Sequence, residues 1–227
     1  DDFVVHHLTG EFSTNPSNAA GMQLMDVASS RWSQQLCDFA GVATEQLSTI
    51  VTTGSNIAPI SDGAANGLGL VPGAPIVAGG HDQACAALAL GVVEPGTVFL
   101  SAGTAWVLTT PAAHCDVDSL PTGINLSPHF INQRWSASRH IGGLGAAIAW
   151  AIGELGIAAD DLTTLLQAHS PSRSDPFFIP TLADPARVAW GRYAGRRDDS
   201  PPAVLAWAVL ESTAFGVRRE LDLLSSL

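Results

Sequence analysis

Asp82 is the residue whose type and surroundings most suggest chemistry. It follows the apolar run Ile76-Val77-Ala78 and a Gly79-Gly80 break, and a stretch rich in Ala and Leu runs from Gln83 to about Leu90. This order reads as buried strand, glycine turn and helix. A carboxylate at such a helix start can take a proton from a substrate hydroxyl. It can equally well serve as the helix N-cap, so both roles are open for Asp82. Gly103-Thr104 sits between the strand-like runs Gly96 to Ala102 and Ala105 to Thr109, which predicts a hairpin with these two residues at its tip. Glycine there permits close backbone approach, and a threonine hydroxyl with free amides can grip a phosphate. An ordinary β-turn explains the same pattern. Gly142-Gly143-Leu144-Gly145 runs into an Ala, Ile and Trp helix ending near Leu155. A glycine loop feeding a helix start offers unpaired amides and a dipole to an anion.

Other constellations fail. The glycine loop has no Walker lysine, and Ile148 stands where the third glycine of GxGxxG would be. The seven histidines form no HxxxH or HExxH pair, and His6-His7 falls at a helix end. Cys37, Cys85 and Cys115 are odd in number and widely spaced, against both a disulfide framework and a zinc site. There is no GxSxG nucleophile elbow. The six tryptophans are scattered and read as core.

The elements that must hold these residues are short. Asp1 to Gly10 reads as the tail of a helix with His in its last turn and Gly as C-cap. Met22 to Val27 is strand or helix, and Ser33 to Ala40 a helix capped by Ser33. Residues 43–75 are rich in Thr, Ser and Gly and read as a surface connection into the strand at 76–78. Trp135 to Ser138 is a further strand, and Pro201-Pro202 start a long helix with apolar residues at helical spacing. Mixed strands and helices predict an α/β or α+β fold. Both ends read as cut in mid-element.

Composition narrows the partners. Against 10 basic residues stand 21 acidic ones, a net charge of −11 that repels phosphate backbones and anionic lipid. Neither nucleic acid nor a membrane is an expected partner. Hydrophobic residues at 46% and charged ones at 14% of 227 residues allow a real core, in one large or two modest domains. No apolar run is long enough for a membrane helix and no signal peptide opens the chain, so a reducing cytoplasm is the expected location.

Taken together, the glycine sites have a familiar context. Ala78-Gly79-Gly80-His81-Asp82-Gln83, Gly91-Val92-Val93-Glu94-Pro95-Gly96-Thr97 and Ser101-Ala102-Gly103-Thr104-Ala105 resemble the FGGY family of carbohydrate kinases. Upstream, Leu8-Thr9-Gly10-Glu11-Phe12 and Ser17-Asn18-Ala19-Ala20 are similar to the family's "LTGE…SNAS" stretch. Downstream, Asp184-Pro185-Ala186-Arg187 with Gly191, Gly195 and Ala208-Val209-Leu210-Glu211 resembles its "DPxARG…G…ATLE" region. The resemblance implies an actin-like, ribonuclease H-like ATPase fold with the site in a cleft between two domains. Residues 1–93 would be the end of the first domain and 94–227 the first part of the second.

By the same resemblance, Asp82 takes the place of the catalytic base and Gln83 that of a substrate contact. Gly103, Thr104 and Gly145 fall where the family contacts ATP. The implied activity is ATP-dependent phosphorylation of a sugar or polyol hydroxyl with Mg²⁺ on the phosphates. The resemblance gives no metal ligand in this chain, and a homo-oligomer is compatible with it. Departures are Ala149, where glycerol kinase has a nucleotide-contacting glutamine, Asn15 for a frequent aspartate, and Arg196 and Val204 near the late glycines and helix. The family's "DxGT" loop and its adenosine loop do not occur in this sequence, so the chain by itself is expected to be inactive. The rival readings are a non-catalytic nucleotide-binding module of actin-like fold and an inactive truncated kinase.

Overall fold

A computed structural model describes residues 1–131, 134–181 and 190–225. The chain divides into two compact units. One comprises Asp1–Phe99, Thr109–Leu120 and Asn125–Ala137, the other Leu100–Leu108, Pro121–Ile124 and Ser138–Leu227. Asp184-Pro185-Ala186-Arg187, part of the motif quoted above, lies outside the described residues.

The first unit opens with α1 (Asp2–Thr9), which ends as its sequence predicts. Gly10 takes φ 84°, and its N–H closes on the His6 carbonyl. Strand β1 (Ser13–Thr14) leads into α2 (Pro16–Gly21), capped by Asn15, whose side chain accepts from the Asn18 N–H. The stretch left open between strand and helix forms the two-residue strand β2 (Met25–Asp26), paired antiparallel with β3 (Arg31–Trp32). Helix α3 (Gln34–Ala40) carries the expected Ser33 cap on the Leu36 N–H and stops at Gly41 with φ 70°.

Residues 43–75 are not the plain surface connection their composition suggests. They hold a single 3₁₀ turn (Thr44–Gln46), β4 (Thr49–Ile50), β5 (Asn56–Pro59) and α4 (Asp62–Leu68). Ser and Gly here mark helix ends: Ser61 caps α4 and Gly69, at φ 68°, terminates it. β4 runs parallel to β1, and β5 pairs antiparallel with β6 (Pro75–Val77). The strand before Asp82 is only partly buried, Val77 being 53% exposed. Helix α5 (Asp82–Ala89) follows.

The predicted hairpin is present as β7 (Phe99–Ala102) and β8 (Trp106–Ala112). With β9 (Ile124–Pro128) and β10 (Trp135–Gly142) these strands form a sheet ordered β7-β8-β10-β9. β10 extends four residues beyond the predicted Ser138, into the glycine loop itself.

In the second unit β10 gives way to α6 (Leu144–Glu154), then a 3₁₀ turn (Ala159–Asp161) and α7 (Leu162–Gln167). The antiparallel pair β11 (Phe177–Pro180) and β12 (Gly191–Ala194) and the long α8 (Pro202–Leu224) complete it. Pro202 occupies the first position of α8, where its missing N–H costs nothing. Ala147 and Ala151 of α6, Phe178 of β11, and Ala208 and Val209 of α8 form one buried cluster, with Trp150 and Tyr193 packed on it. The small alanines let two helices approach closely, and the aromatics fill the volume that remains. No described helix is long and apolar enough to cross a membrane.

Candidate active site

Asp82 is the first residue of α5, and the cap is its neighbour. His81 Nδ1 accepts from the Gln83 N–H at 3.3 Å and so occupies the N-cap position. The N-cap role weighed for Asp82 is therefore filled by His81. The Asp82 carboxylate is 83% exposed, with Oδ1 3.1 Å from His81 Nδ1 and 2.7 Å from the Gln83 N–H. Gln83 is half-buried on the same turn.

The backbone ahead of Asp82 is fixed from two sides. The His81 N–H donates to the hydroxyl of buried Ser17 at 2.9 Å. That hydroxyl in turn donates to Asn15 Oδ1 at 2.6 Å. Against Gly80 lies the ring of Phe130, in the space a β-carbon would need. Glycine is required here for close approach, since neither Gly79 nor Gly80 takes a positive φ. Neither Ser17 nor Phe130 was singled out as a support of Asp82 in the sequence. Ser17 stands in the "SNAS"-like stretch and touches a backbone 64 residues later, a relation no local pattern carries.

In the second unit the structure brings Gly103, Thr104 and Gly145 together. Gly143 is the N-cap of α6, and the Ala146 N–H donates to the Thr104 carbonyl at 3.2 Å. A β-carbon on Gly145 would overlap the Gly103 carbonyl oxygen and lie 3.0 Å from its carbon and 3.2 Å from Thr104 Cα. Close approach is thus a property of Gly145, which seats the hairpin tip on the first turn of α6. A β-carbon at Gly103 would meet nothing nearer than the Ala105 carbonyl oxygen at 3.8 Å. Thr104 is exposed, and its hydroxyl bonds to no described protein group. Free hydroxyl and helix start together suit an anionic oxygen such as a nucleotide phosphate.

Gly145→Ala is expected to prise the tip from α6, because the obstructing atoms are backbone. The cost is about 1–3 kcal/mol by the usual scale of overpacking. Urea unfolding would measure it, and a change under about 0.5 kcal/mol would show that the tip gives way freely.

No group of three His, Cys, Asp or Glu able to hold a metal ion occurs among the described residues. Among the described residues Asp82 is therefore part of no ready-made three-ligand site for Mg²⁺.

Residues 1–89 match the FGGY family of carbohydrate kinases, N-terminal domain. The chain is 35% identical over 132 residues to autoinducer-2 kinase from Yersinia enterocolitica, and 34% over 130 residues to autoinducer-2 kinase from Escherichia coli. Each match covers 57% of this chain and 24% of the relative, so the chain spans about a quarter of the length of these curated relatives. Among solved structures it resembles a xyloylose kinase from Brucella ovis at 25% identity and TM-score 0.85, covering 99% of this chain and 47% of that one. A glycerol kinase from Plasmodium falciparum, solved with ADP, matches at 18% identity and TM-score 0.84, covering 99% and 46%. The likeness over nearly the whole chain bears out the expected actin-like ATPase fold. Residues 1–89 thus match the N-terminal domain of the FGGY carbohydrate kinases, and the chain as a whole has the fold of the solved sugar and glycerol kinases.

Proposed function

We propose that a protein carrying this sequence is a carbohydrate kinase, transferring a phosphoryl group from ATP to a hydroxyl of a sugar or polyol. The observation that carries the reading is Asp82. It is a highly exposed carboxylate on the first residue of α5, next to the N-cap His81 with which it shares the Gln83 N–H, and held by a backbone that Ser17 and Phe130 fix. A structural aspartate needs no such arrangement, whereas a general base needs an open carboxylate on a rigid support.

In this reading Asp82 takes the proton of the attacking hydroxyl and Gln83 helps to orient the substrate. Gly103 and Thr104 hold the nucleotide's phosphates, while Gly145 keeps that tip on α6. When bound, ATP supplies the phosphoryl group, and most of the catalysis is positioning and charge neutralisation. Mg²⁺ is the usual counter-charge in such transfers, but no step here is assigned to it. Residues 1–93 are the end of a first kinase domain and 94–227 the start of a second, and the enzyme works in the cytoplasm.

The test is a coupled assay of ADP release by the full-length protein against a panel of polyols and ketoses. Sugar-dependent turnover is expected. ATP binding with no turnover on any acceptor would favour the non-catalytic nucleotide-binding module.

A homo-oligomer is part of the same reading. Phe39 is 93%, Phe3 79% and Val71 73% exposed, apolar side chains that a second copy would cover. Light scattering behind size-exclusion chromatography is expected to find self-association of the 227-residue chain, and a sharp monomer peak would exclude it.

A further inference from the structure

The first unit contains a cavity of about 350 Å³ whose wall includes neither Asp82 nor Gln83. Its size falls within the range of small-molecule sites, about 300–1,000 Å³. Three observations describe what it would hold.

The first is a supply of unused hydroxyls. Ser30, Thr52 and Thr53 line the cavity, and none uses its hydroxyl in a hydrogen bond to a described protein group. Ser17, buried on the same wall, is the hydroxyl that accepts from the His81 N–H. Ser30 is also held at φ 53°, a left-handed conformation costly for a residue with a side chain and often kept where a ligand is clamped.

The second is charge balance. Arg134 lines the cavity, but its Nη1 lies 2.9 Å from Glu94 Oε1 and also donates to the Val93 carbonyl. His129, on the same wall, accepts the Ile131 N–H on Nδ1 at 3.0 Å. Burial holds its ring below the ordinary histidine range, which favours the neutral form. An anion would find no unpaired positive charge here, and the chain's net charge of −11 opposes it further.

The third is a pair of aromatic walls. Phe130 and Trp135 both line the space, and the Trp135 indole N–H is anchored to the Val27 carbonyl at 3.3 Å. Fixed rings offer flat apolar faces to the C–H face of a sugar or polyol, while the threonine and serine hydroxyls meet its O–H groups.

We propose that this cavity binds one small uncharged polyol or sugar, at a site separate from Asp82 and coupled to it. The coupling runs through two contacts already described. Ser17 lines the cavity and holds the His81 N–H, and Phe130 lines it and packs on Gly80. A ligand that orders Ser17 and Phe130 therefore orders the turn that carries Asp82. The inference does not rest on the kinase reading, because the cavity would bind whether or not Asp82 acts as a base.

Calorimetric titration of the protein with glycerol, xylitol, D-xylose and D-glucose tests it, with inorganic phosphate as the anionic probe. At least one neutral probe is expected to saturate this site below about 10 mM, whether or not it also binds beside Asp82. Thr53→Val, which keeps the shape and removes the hydroxyl, and Phe130→Leu should each weaken that binding about tenfold. Asp82→Asn should weaken it far less than either of these, and hydrogen exchange at the His81 amide should slow in the bound state. The proposal is overturned if no neutral probe saturates, or if phosphate binds more tightly and loses its affinity in Arg134→Gln. It is also overturned if binding survives Thr53→Val and Phe130→Leu but disappears in Asp82→Asn, which would place the polyol at the acceptor site instead.

Discussion

Asp82→Asn in the full-length protein is expected to lower kcat by about 10²- to 10⁴-fold while leaving ATP affinity close to wild type. The substitution keeps the side chain's size and one acceptor oxygen but removes its ability to take a proton. Its interpretation depends on the structure of α5. Had Asp82 been the N-cap, asparagine would cap nearly as well, and any kinetic loss would be hard to read. The cap is His81, and the Asp82 side chain is 83% exposed, so the change should scarcely alter the melting temperature. A variant of unchanged stability with a collapsed kcat assigns the base. A variant with near-wild-type kcat removes Asp82 from the chemistry and with it the main support for the kinase reading in this chain.

Helix ends were the most legible part of the fold. Gly10, Ser33 and Pro202 act through local backbone geometry, and each marks the boundary its residue type predicts. Residues 43–75 were misread because Thr, Ser and Gly serve caps and loops alike, and because two-residue strands such as β4 are too short to show an alternating pattern.

The site was legible in its residues but not in its contacts. Gly145 was expected to admit a nucleotide, yet the group it admits in the structure is the Gly103 carbonyl, 42 positions earlier in the sequence. The supports of Asp82 escaped for the same reason. Ser17 and Phe130 reach it only through the tertiary fold, and a hydroxyl against a distant amide leaves no spacing to read. Asp82 itself was placed at a helix start correctly, but its role there turned on a neighbour, His81, that the local pattern did not single out.

Glu220→Ala is expected to destabilise the second unit by about 3–5 kcal/mol, the usual cost of removing one partner from a buried ion pair. Glu220 lies on the packed side of α8 and is 1% exposed, a position that the apolar spacing of this helix would assign to a hydrophobe. Burial alone would raise its carboxyl. The hydrogen bonds and charges of Arg139, 2.6 Å from Oε2, and Arg219, 2.6 Å from Oε1, instead hold it below the ordinary glutamate range. Arg139 also donates to the Thr122 carbonyl at 3.0 Å, so this one pair ties α8 to β10 and to the turn before β9. Alanine would strand a guanidinium that is only 23% exposed. Because the folded value is depressed, the stabilisation is complete above the unfolded glutamate value of about 4.3 and is lost as the pH falls through the folded one. Urea unfolding at pH 7 should therefore show the full loss in Glu220→Ala, and the gap from wild type should narrow steadily in more acidic buffer. The double variant Arg139→Met, Glu220→Leu should recover most of the stability, since two hydrophobes of similar size can replace a buried pair at little cost. A loss under about 0.5 kcal/mol at pH 7, or a gap that does not narrow with acid, would show that the pair contributes nothing net and that apolar packing alone holds α8.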